Sequence, residues 1–530
     1  MTQQVGPLRQ SIFSKDVARL HGKEAWTNNL RLATLAASKL ASSLGPRGAY
    51  KLVTYRLGPE LVTRVTKDPV DIVNELGVQY PAIKTLVEAA RIHREDAGDG
   101  VSTLIVLLSS LLTEADRLIE VGVHPVAILD GYKDAAKKCL AIIDEVAEDP
   151  AGDLELCLME IVDCGRGLLS ERLRNELSQA LNLVDQGGNL DISRIKIEKK
   201  LGGTVDDSKL IRGVIIKKGK THRSMPDEII EPKVAVVYNM EIKSLELIDK
   251  KQGPFSTTLN VSSGDQLKSF ILEESRLRSR LVEKVKIAGA NVLVSRAKLT
   301  DRISDKLSRE GIFAMQMVNQ KDIDEVAAAT GATIVGDTND ISERDIGTAE
   351  KLEVDKIPPE DVTFLYCEGT ASILLRGSSP EVVQELEKTV RSALLVLKHA
   401  RSKPKTLPGG GAVFVRLALR LRKFALTFPG KQQLAIGAFA DALETIPKWL
   451  SINYGIDPID TMMQLRRDHS NNMNSMGVGE QGCMDMLKAN IVELAAINKA
   501  TIWRTFEVAS LLLKIDDYFY VKDLPVFHKK

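Results

Sequence analysis

The stretch EDAGDGVSTL combines residue types that suit a phosphate and a divalent ion. Asp99 stands between Gly98 and Gly100, and Ser102 and Thr103 supply hydroxyls just beyond. Glycines let the backbone adopt positive φ and approach a ligand closely. A following helix offers unpaired N–H groups to phosphate oxygens, and one carboxylate there suits Mg²⁺. The pattern predicts a magnesium–phosphate site, although an isolated Gly-Asp-Gly is more often an ordinary turn.

Two further glycine loops, SLGPRG at 43–48 and PGGGAVF at 408–414, also adjoin apolar helical segments. Three such loops in one chain favour a ligand site over independent turns. The sequence contains no GxxxxGK[ST], HExxH or GxSxG motif, which disfavours Walker-type NTPases, zinc proteases and serine hydrolases. An unrelated metal-dependent phosphotransferase stays a minor alternative, because the sequence offers no separate acceptor site.

Composition limits the classes of partner. The chain has 530 residues, 44% of them hydrophobic, which is enough for roughly three or four domains with large cores. Lys and Arg number 72 against 71 Asp and Glu, a balance that argues against nucleic acid or an anionic membrane as the main partner. Five cysteines without a CxxC pair indicate reduced thiols. We therefore expect a cytoplasmic protein with no membrane span.

Hydrophobic spacing predicts the elements that must position these loops. Apolar residues at helical spacing precede the 43–48 loop and follow both the Gly-Asp-Gly stretch and the 408–414 loop. KLVTY with ELVTRV predicts a small hairpin. In the middle of the chain, the runs KVAVVYNMEI, ANVLVS and ATIVG alternate with helical stretches near 300–310 and 321–330, which indicates a layered α/β domain. The expected fold is therefore an α/β multidomain protein whose helical ends fold together around an inserted centre.

A series of further motifs extends over nearly the whole chain. The chain resembles a group II chaperonin, and it is most similar to a divergent, gamma-type subunit of the archaeal thermosome. The motifs that carry this resemblance are LGPRG, GDGVST, GVHP, IKIEKKLGGTVDDSKLIRG, GANVLV, ILLRG, GGGA, FADALETIP, GIDPID, DML and LKIDD.

The resemblance implies three domains. An equatorial ATP-binding domain would comprise 1–146 and 402–530, and an intermediate hinge domain would comprise 147–214 and 366–401. An apical substrate-binding domain would comprise 215–365, with a helical lid protrusion at about 253–280. Such subunits form two stacked rings that enclose unfolded polypeptide, and we expect paralogous subunits beside this one in a hetero-oligomeric double ring.

The resemblance also implies the site residues for ATP and Mg²⁺. Asp99 would hold Mg²⁺, and the residues around it would contact the phosphates. Gly410 would approach the adenosine, and Glu493 takes the place of an acid near the ribose, although Leu494 replaces the proline that usually follows. The full predicted nucleotide-binding set is Leu44, Gly45, Pro46, Lys67, Gly98, Asp99, Gly100, Ser102, Thr103, Gly410 and Glu493.

Several positions depart from the family pattern. In KDPVD, Asp68 is kept as a catalytic candidate, but Pro69 replaces a flexible glycine and Asp71 replaces a hydroxyl residue. Proline fixes φ and removes a backbone donor. The additional carboxylate should repel phosphate unless an ion or Lys67 compensates it. Val101 removes one hydroxyl from the phosphate loop.

The largest departure lies in EKTVRSALLVL. There Ser392 occupies the position of the aspartate that orients the attacking water in the family. A neutral serine cannot accept the proton of that water, so we expect slow hydrolysis of ATP. Glu385 and Glu387, seven and five residues earlier, are alternative acids. A non-hydrolysing structural or regulatory subunit is the second hypothesis.

Two segments are candidates for contact with the client polypeptide. Leu267, Phe270 and Ile271 form an apolar patch in the predicted protrusion, with packing on their own domain as the alternative. Helix TDRISDKLSREG matches the client-facing helix of the family, with Ile303 and Leu307 as its main apolar residues. Its high charge favours polar client contacts over broad hydrophobic capture.

Overall fold

The chain forms two compact units. The computed structural model describes residues 17–21, 23–57, 60–75, 81–150, 154–163, 168–186, 189–239, 276, 280–337, 340–356, 361–515 and 517–521. Unit 1 comprises Met1–Leu169 with Lys388–Lys530, and unit 2 comprises Ser170–Glu387. The subdivision into equatorial, intermediate and apical domains stays a prediction. Within the described residues, no helix is long and apolar enough to cross a membrane.

Unit 1 is mostly helical. Its helices are α1 (Lys23–Leu40), α2 (Pro69–Glu75), α3 (Pro81–Ala97), α4 (Val101–Glu120), α5 (Pro125–Val146), α6 (Leu154–Asp163), the part of α11 (Pro380–Ser402) from Lys388 onward, α12 (Ala412–Ala425), α13 (Lys431–Leu443), α14 (Thr445–Tyr454), α15 (Pro458–Ser470) and α16 (Ala495–Leu513). The predicted stripe of α4 is confirmed, because Leu104, Leu108 and Leu111 are fully buried. These side chains recur at helical spacing, so one face of α4 packs in the main core of the unit.

The strands of unit 1 are short and pair two by two. They are β1 (Val17–His21), β2 (Lys51–Leu57), β3 (Glu60–Thr66), β18 (Thr406–Pro408), β19 (Met476–Gly479), β20 (Gly482–Asp485), β21 (Val492–Leu494) and β22 (Asp517–Val521). The predicted hairpin is confirmed as β2 paired antiparallel with β3. The C-terminal strand β22 pairs antiparallel with β1.

Unit 2 contains three main sheets with helices beside them. Its helices are α7 (Glu171–Val184), α8 (280–287), α9 (Asp301–Arg309) and α10 (Gln320–Thr330). Its strands are β4 (Asp185–Gln186), β5 (Asn189–Leu190), β6 (Ile195–Leu201), β7 (Lys209–Ile211), β8 (Gly213–Ile216), β9 (Glu228–Ile230), β10 (Lys233–Asn239), β11 (Val292–Ser295), β12 (Phe313–Met315), β13 (Ile334–Asp337), β14 (Gly347–Thr348), β15 (Lys351–Asp355), β16 (Val362–Tyr366) and β17 (Ala371–Gly377).

The predicted α/β layer of unit 2 is confirmed. Strands β12, β11, β10 and β13 lie side by side in that order and are parallel. Their residues are almost all apolar and buried, as expected for a parallel sheet covered on both faces. An antiparallel sheet of order β8-β16-β15-β9 and a mixed sheet of order β6-β17-β7 complete the unit.

Candidate functional site

The Gly-Asp-Gly turn leads directly into α4. Gly98 and Gly100 have φ of 77° and 83°, so both occupy the left-handed region that glycine adopts without strain. The Gly100 N–H donates to Asp99 Oδ1 at 2.7 Å, and the Asp99 side chain is exposed. Ser102 and Thr103 follow in the first turn of α4, where backbone N–H groups have no partner within the helix. The sequence prediction of this turn and helix start is confirmed.

The buried side chain of His93 packs against the Gly-Asp-Gly turn. His93 is 0% exposed, and its Nε2 lies 3.1 Å from Thr501 Oγ1. A Cβ added to Gly100 would lie 2.8 Å from that same oxygen, so no larger residue fits. Burial, followed by the charge of Arg504, lowers the pKa of His93 to about 4. The ring is therefore neutral at pH 7. No sequence pattern predicts this role, because an isolated histidine belongs to no periodic motif.

The 44–48 loop is held by side chains from distant parts of the chain. Gly45 has a φ of 77°. Lys67 Nζ donates to the carbonyl oxygens of Gly45 and Pro46 at 2.6 and 3.3 Å. Asn453 Nδ2 donates to the Leu44 carbonyl oxygen at 2.8 Å. Lys67 therefore fixes the shape of this loop, a contact that its predicted nucleotide-binding role did not include.

The third glycine loop lies beside the predicted ribose acid. Gly410 has a φ of 59°, and Glu493 on β21 pairs with Leu407 on β18 just before this loop. Burial raises the pKa of Glu493 to about 7, the negative charge of Asp99 adds to the rise, and a hydrogen bond from Asn498 opposes it. The carboxylates of Glu493 and Asp99 are thus close enough to repel each other. The Asp99 turn and the strand before Gly410 therefore meet in one region.

Helix α14 connects the first and third loops. A Cβ added to Gly45 would lie 2.6 Å from Leu450, and one added to Gly411 would lie 3.1 Å from Pro447. Both glycines therefore pack closely on α14, which brings the first and third loops to the same helix.

Four charged residues form what we term the Asp68 cluster: Asp68, Asp71, Arg94 and Lys388. Arg94 forms an ion pair with Asp68, Lys388 forms one with Asp71, and Arg94 Nη1 also lies 3.9 Å from Asp71 Oδ1. The four side chains are between 13% and 28% exposed. Burial raises the pKa of Asp68; Arg94 opposes this rise and the neighbouring Asp71 adds to it. Sequence analysis missed Arg94 and Lys388.

The structure explains how the KDPVD segment is accommodated. Pro69 is the first residue of α2, a position where the missing N–H costs no helical hydrogen bond. Asp68 Oδ1 accepts from the Val70 N–H at 2.9 Å, which caps this helix. The expected penalty of Pro69 is therefore small. The cations that pair with Asp71 are Lys388 and Arg94, whereas the sequence analysis had suggested Lys67.

Ser392 lies beside the Gly-Asp-Gly turn. A Cβ added to Gly98 would lie 2.8 Å from the Ser392 carbonyl oxygen and 2.7 Å from Leu395 Cβ. This part of α11 therefore packs on the turn without space between them. Ser392 itself is half-buried.

These residues meet the chemical requirements of a magnesium-bound nucleotide. Mg²⁺ takes one or two protein carboxylates together with phosphate and water oxygens, and the exposed Asp99 stands where a phosphate would meet the start of α4. Asp99 is thus the residue that fits Mg²⁺, and the N–H groups that open α4 fit phosphate.

The predicted client contacts in unit 2 require one correction. Ile303 and Leu307 are 2% and 0% exposed, and they pack in the core of unit 2. The prediction that they contact a client is wrong for this structure, because the apolar face of α9 is already covered. Its exposed residues are charged, among them Arg302 and Arg309. The predicted patch of Leu267, Phe270 and Ile271 lies outside the described residues.

Comparison with known proteins agrees with this geometry. Residues 37–522 match the sequence model of the TCP-1/cpn60 chaperonin family. The chain is 34% identical over 528 residues to thermosome subunit beta of Thermoplasma acidophilum, with 96% of this chain and 95% of the relative covered. It is 35% identical to thermosome subunit alpha of the same organism, with 98% and 95% covered, and 35% identical to thermosome subunit alpha of Aeropyrum pernix, with 96% and 93% covered. The chain therefore belongs to the TCP-1/cpn60 chaperonin family.

Proposed function

We propose that this chain is an ATP-binding subunit of a double-ring chaperonin that hydrolyses its nucleotide slowly. Its neighbours in the ring would be paralogous subunits, since the relatives include thermosome subunits of both alpha and beta type. Its clients would be unfolded polypeptides held in the cavity of the ring. The predicted equatorial, intermediate and apical domains are part of this proposal.

The proposed binding step uses the three glycine loops. The opening N–H groups of α4, with Ser102 and Thr103, would contact the phosphates. Gly45 and Gly410 would allow backbone to approach the nucleotide from two other sides. Asp99 would hold Mg²⁺, which supplies positive charge to the phosphate oxygens when it is bound. The shape of all three loops is fixed by contacts within unit 1, so the pocket needs little rearrangement to bind.

The observation that carries slow hydrolysis is the position of Ser392 beside the Asp99 turn. A hydroxyl there is neutral at pH 7 and accepts a proton poorly, so an attacking water would lack a base. Loss of a positioned base costs about 10²–10⁴ in rate. Asp68 is the other predicted catalytic residue, but its carboxylate is already paired with Arg94. Residual hydrolysis through Asp68 is therefore expected to be weak.

Single-turnover hydrolysis of ATP by the purified chain and its Ser392→Asp variant tests the proposal. We expect the aspartate to raise the rate by about 10²–10⁴. Ser392→Asn is the matched control, because it has nearly the same shape as aspartate without the charge, and it should hydrolyse as slowly as the native chain. Nucleotide affinity is measured for all three proteins first. Equal rates for the native chain and Ser392→Asp would refute slow hydrolysis through loss of this base.

The Asp68 cluster favours a second candidate, a structural subunit that does not turn over nucleotide. Arg94 and Lys388 pair with Asp68 and Asp71. The two positive charges offset the two carboxylates, so the cluster needs no bound ion to be neutral. If Ser392→Asp binds ATP as the native chain does and neither hydrolyses it, this second function is the better description. Failure of both proteins to bind ATP would contradict the first candidate and would agree with the second.

A further inference from the structure

Unit 1 contains a cavity outside the nucleotide region. Its volume is about 240 Å³, and it lies among the end of α5, the start of α6, β18, α12 and the chain around β21. Apolar walls come from Val146, Leu154, Pro408, Leu487 and Val492, and Cys157 on α6 closes one side. The Cys157 Sγ donates to the Asn490 carbonyl oxygen at 2.7 Å. The cavity is therefore bounded by connected elements of one unit.

Strand geometry separates this cavity from the nucleotide region. Val492 lines the cavity, and Glu493, the next residue of β21, faces the Asp99 turn closely enough to interact with it. Successive side chains of a strand point to opposite faces. The same two-stranded ladder of β18 and β21 thus has the predicted nucleotide site on one face and this cavity on the other.

Arg416, a cation that lines the cavity, forms no hydrogen bond or ion pair with the described residues. Arg416 on α12 lines the cavity and is partly buried. None of the described residues forms a hydrogen bond or an ion pair with its guanidinium, whereas its neighbour Arg420 pairs with Glu145 at 2.6 Å. Burial lowers the pKa of Arg416 and the charge of Arg420 lowers it further, while the carboxylates of Glu145 and Glu148 act to raise it. Because neither carboxylate forms an ion pair with Arg416, an anion that reached this partly desolvated guanidinium would gain a charge-assisted hydrogen bond.

The rim of the cavity limits the charge of that anion. Glu148 and Asp149 are exposed and line the entrance, and Asp149 pairs with Lys405 at 2.9 Å. Two carboxylates at the entrance repel a phosphate group or any polyanion, while a single negative charge is opposed less. The volume is below the roughly 300–1,000 Å³ of pockets for drug-sized ligands, so the ligand must be small.

We propose that this cavity binds a small aliphatic monocarboxylate, with its carboxylate on Arg416 and its hydrocarbon chain against Leu154, Pro408 and Val492. The guanidinium offers two parallel N–H donors, which match the two oxygens of a carboxylate. The remaining lining is apolar, with the side chains of Asn474 and Ser475 as additional polar groups. The inference does not depend on nucleotide binding or hydrolysis.

Isothermal titration of the full-length chain with 4-methylpentanoate tests this proposal. We expect saturable binding at one site per chain. Acetate should bind at least about tenfold more weakly, because it lacks four carbons that each contribute to burial. The amine of the same carbon skeleton, 4-methylpentylamine, should not bind at the same concentration. These three titrations use the native chain and do not depend on the folding of any variant.

Variants then assign the interaction to Arg416. Arg416→Gln should weaken the binding of 4-methylpentanoate by about ten- to a hundredfold, since it removes a charge-assisted hydrogen bond. Arg420→Gln, one turn along the same helix, should leave the affinity within about twofold, because Arg420 faces Glu145. The proposal is overturned if the carboxylate does not saturate, if the amine binds in its place, or if Arg416→Gln binds as the native chain does.

Discussion

Two groups of paired charges in unit 1, one around Glu444 and the Asp68 cluster, differ in how they shift the pKa of their carboxylates. Glu444 is 0% exposed, and its two oxygens accept from Arg422 at 2.7 and 2.8 Å and from Arg466 Nε at 2.9 Å. Burial acts to raise the pKa of Glu444, but the two arginines outweigh it and lower the pKa to about 2. In the Asp68 cluster, burial prevails over Arg94 and raises the pKa of Asp68.

The difference follows from the number of arginines that donate to each carboxylate. Glu444 accepts from two arginines, although Arg422 also pairs with Asp441. Asp68 pairs with Arg94, which also lies 3.9 Å from Asp71. The Glu444 group therefore stabilises the packing of α12, α14 and α15. In the Asp68 cluster, the ion pair only partly offsets the effect of burial on the ionised Asp68. Carboxylates with perturbed pKa values are concentrated at functional sites. Ion pairing alone thus does not distinguish a structural role from a functional one.

The largest expected effect is that of Glu444→Gln. Removing this charge leaves Arg422 and Arg466 without their shared partner, and we expect a loss of about 3–5 kcal/mol in the free energy of unfolding at pH 7. The pKa of Glu444 is about 2 when folded, against an ordinary value of 4.5. Its stabilisation is therefore complete above pH 4.5 and is lost as the pH falls towards 2.

Denaturant unfolding across this pH range measures the effect. Glu145→Gln is the control, because it makes the same chemical change in the ion pair with Arg420, whose side chains are 63% and 36% exposed. We expect that control to unfold as the native chain does at pH 7. If the two variants lose equal stability, the Glu444 group is not the structural pair described above.

An intermediate effect is expected from Gly100→Ala, which tests the shape of the site rather than its charge. Gly100 has a φ of 83°, and an added Cβ would meet Thr501 and His93. Gly122 has a φ of 87° and nothing within 4 Å, so Gly122→Ala suffers only the strain of positive φ, about 1–2 kcal/mol. Gly100→Ala should lose more stability than this and should also bind ATP at least about tenfold more weakly.

Denaturant unfolding and titration with a fluorescent ATP analogue separate the two parts of this prediction. Gly122→Ala should keep the native affinity, since the residue lies at the other end of α4. Native affinity in Gly100→Ala would show that the turn before α4 does not shape the nucleotide site.

Local patterns predicted much of the fold and the shape of the site. The helical stripe of α4, the hairpin of β2 with β3 and the glycine turn at Asp99 each depend on residues near one another in sequence. Periodicity and glycine positions report such local structure directly. The convergence of the three loops was predicted through the family resemblance rather than from spacing.

The missed residues act over long sequence separations. The pairing of Asp71 with Lys388 joins positions 317 residues apart, and no local pattern identifies which of 72 basic residues meets a given carboxylate. Ile303 and Leu307 were misassigned for a different reason. A charged helix with only a narrow apolar stripe buries that stripe in its own core, so its few apolar residues are the least available to a client.

The smallest effect on stability is expected from Asp68→Asn. Asparagine caps α2 as well as aspartate does, and Arg94 remains near Asp71, so we expect the free energy of unfolding at pH 7 to change by less than about 1 kcal/mol. The folded pKa of Asp68 lies above its ordinary value of 3.8. Ionisation of Asp68 therefore lowers the free energy of unfolding of the native chain as the pH rises above 3.8. The variant does not ionise at this position, so its stability should rise relative to that of the native chain over this pH range. Denaturant unfolding from pH 4 to pH 7 measures this trend. A loss as large as that of Glu444→Gln would mean that both groups of charges are structural, and the pKa of Asp68 would then carry no functional meaning.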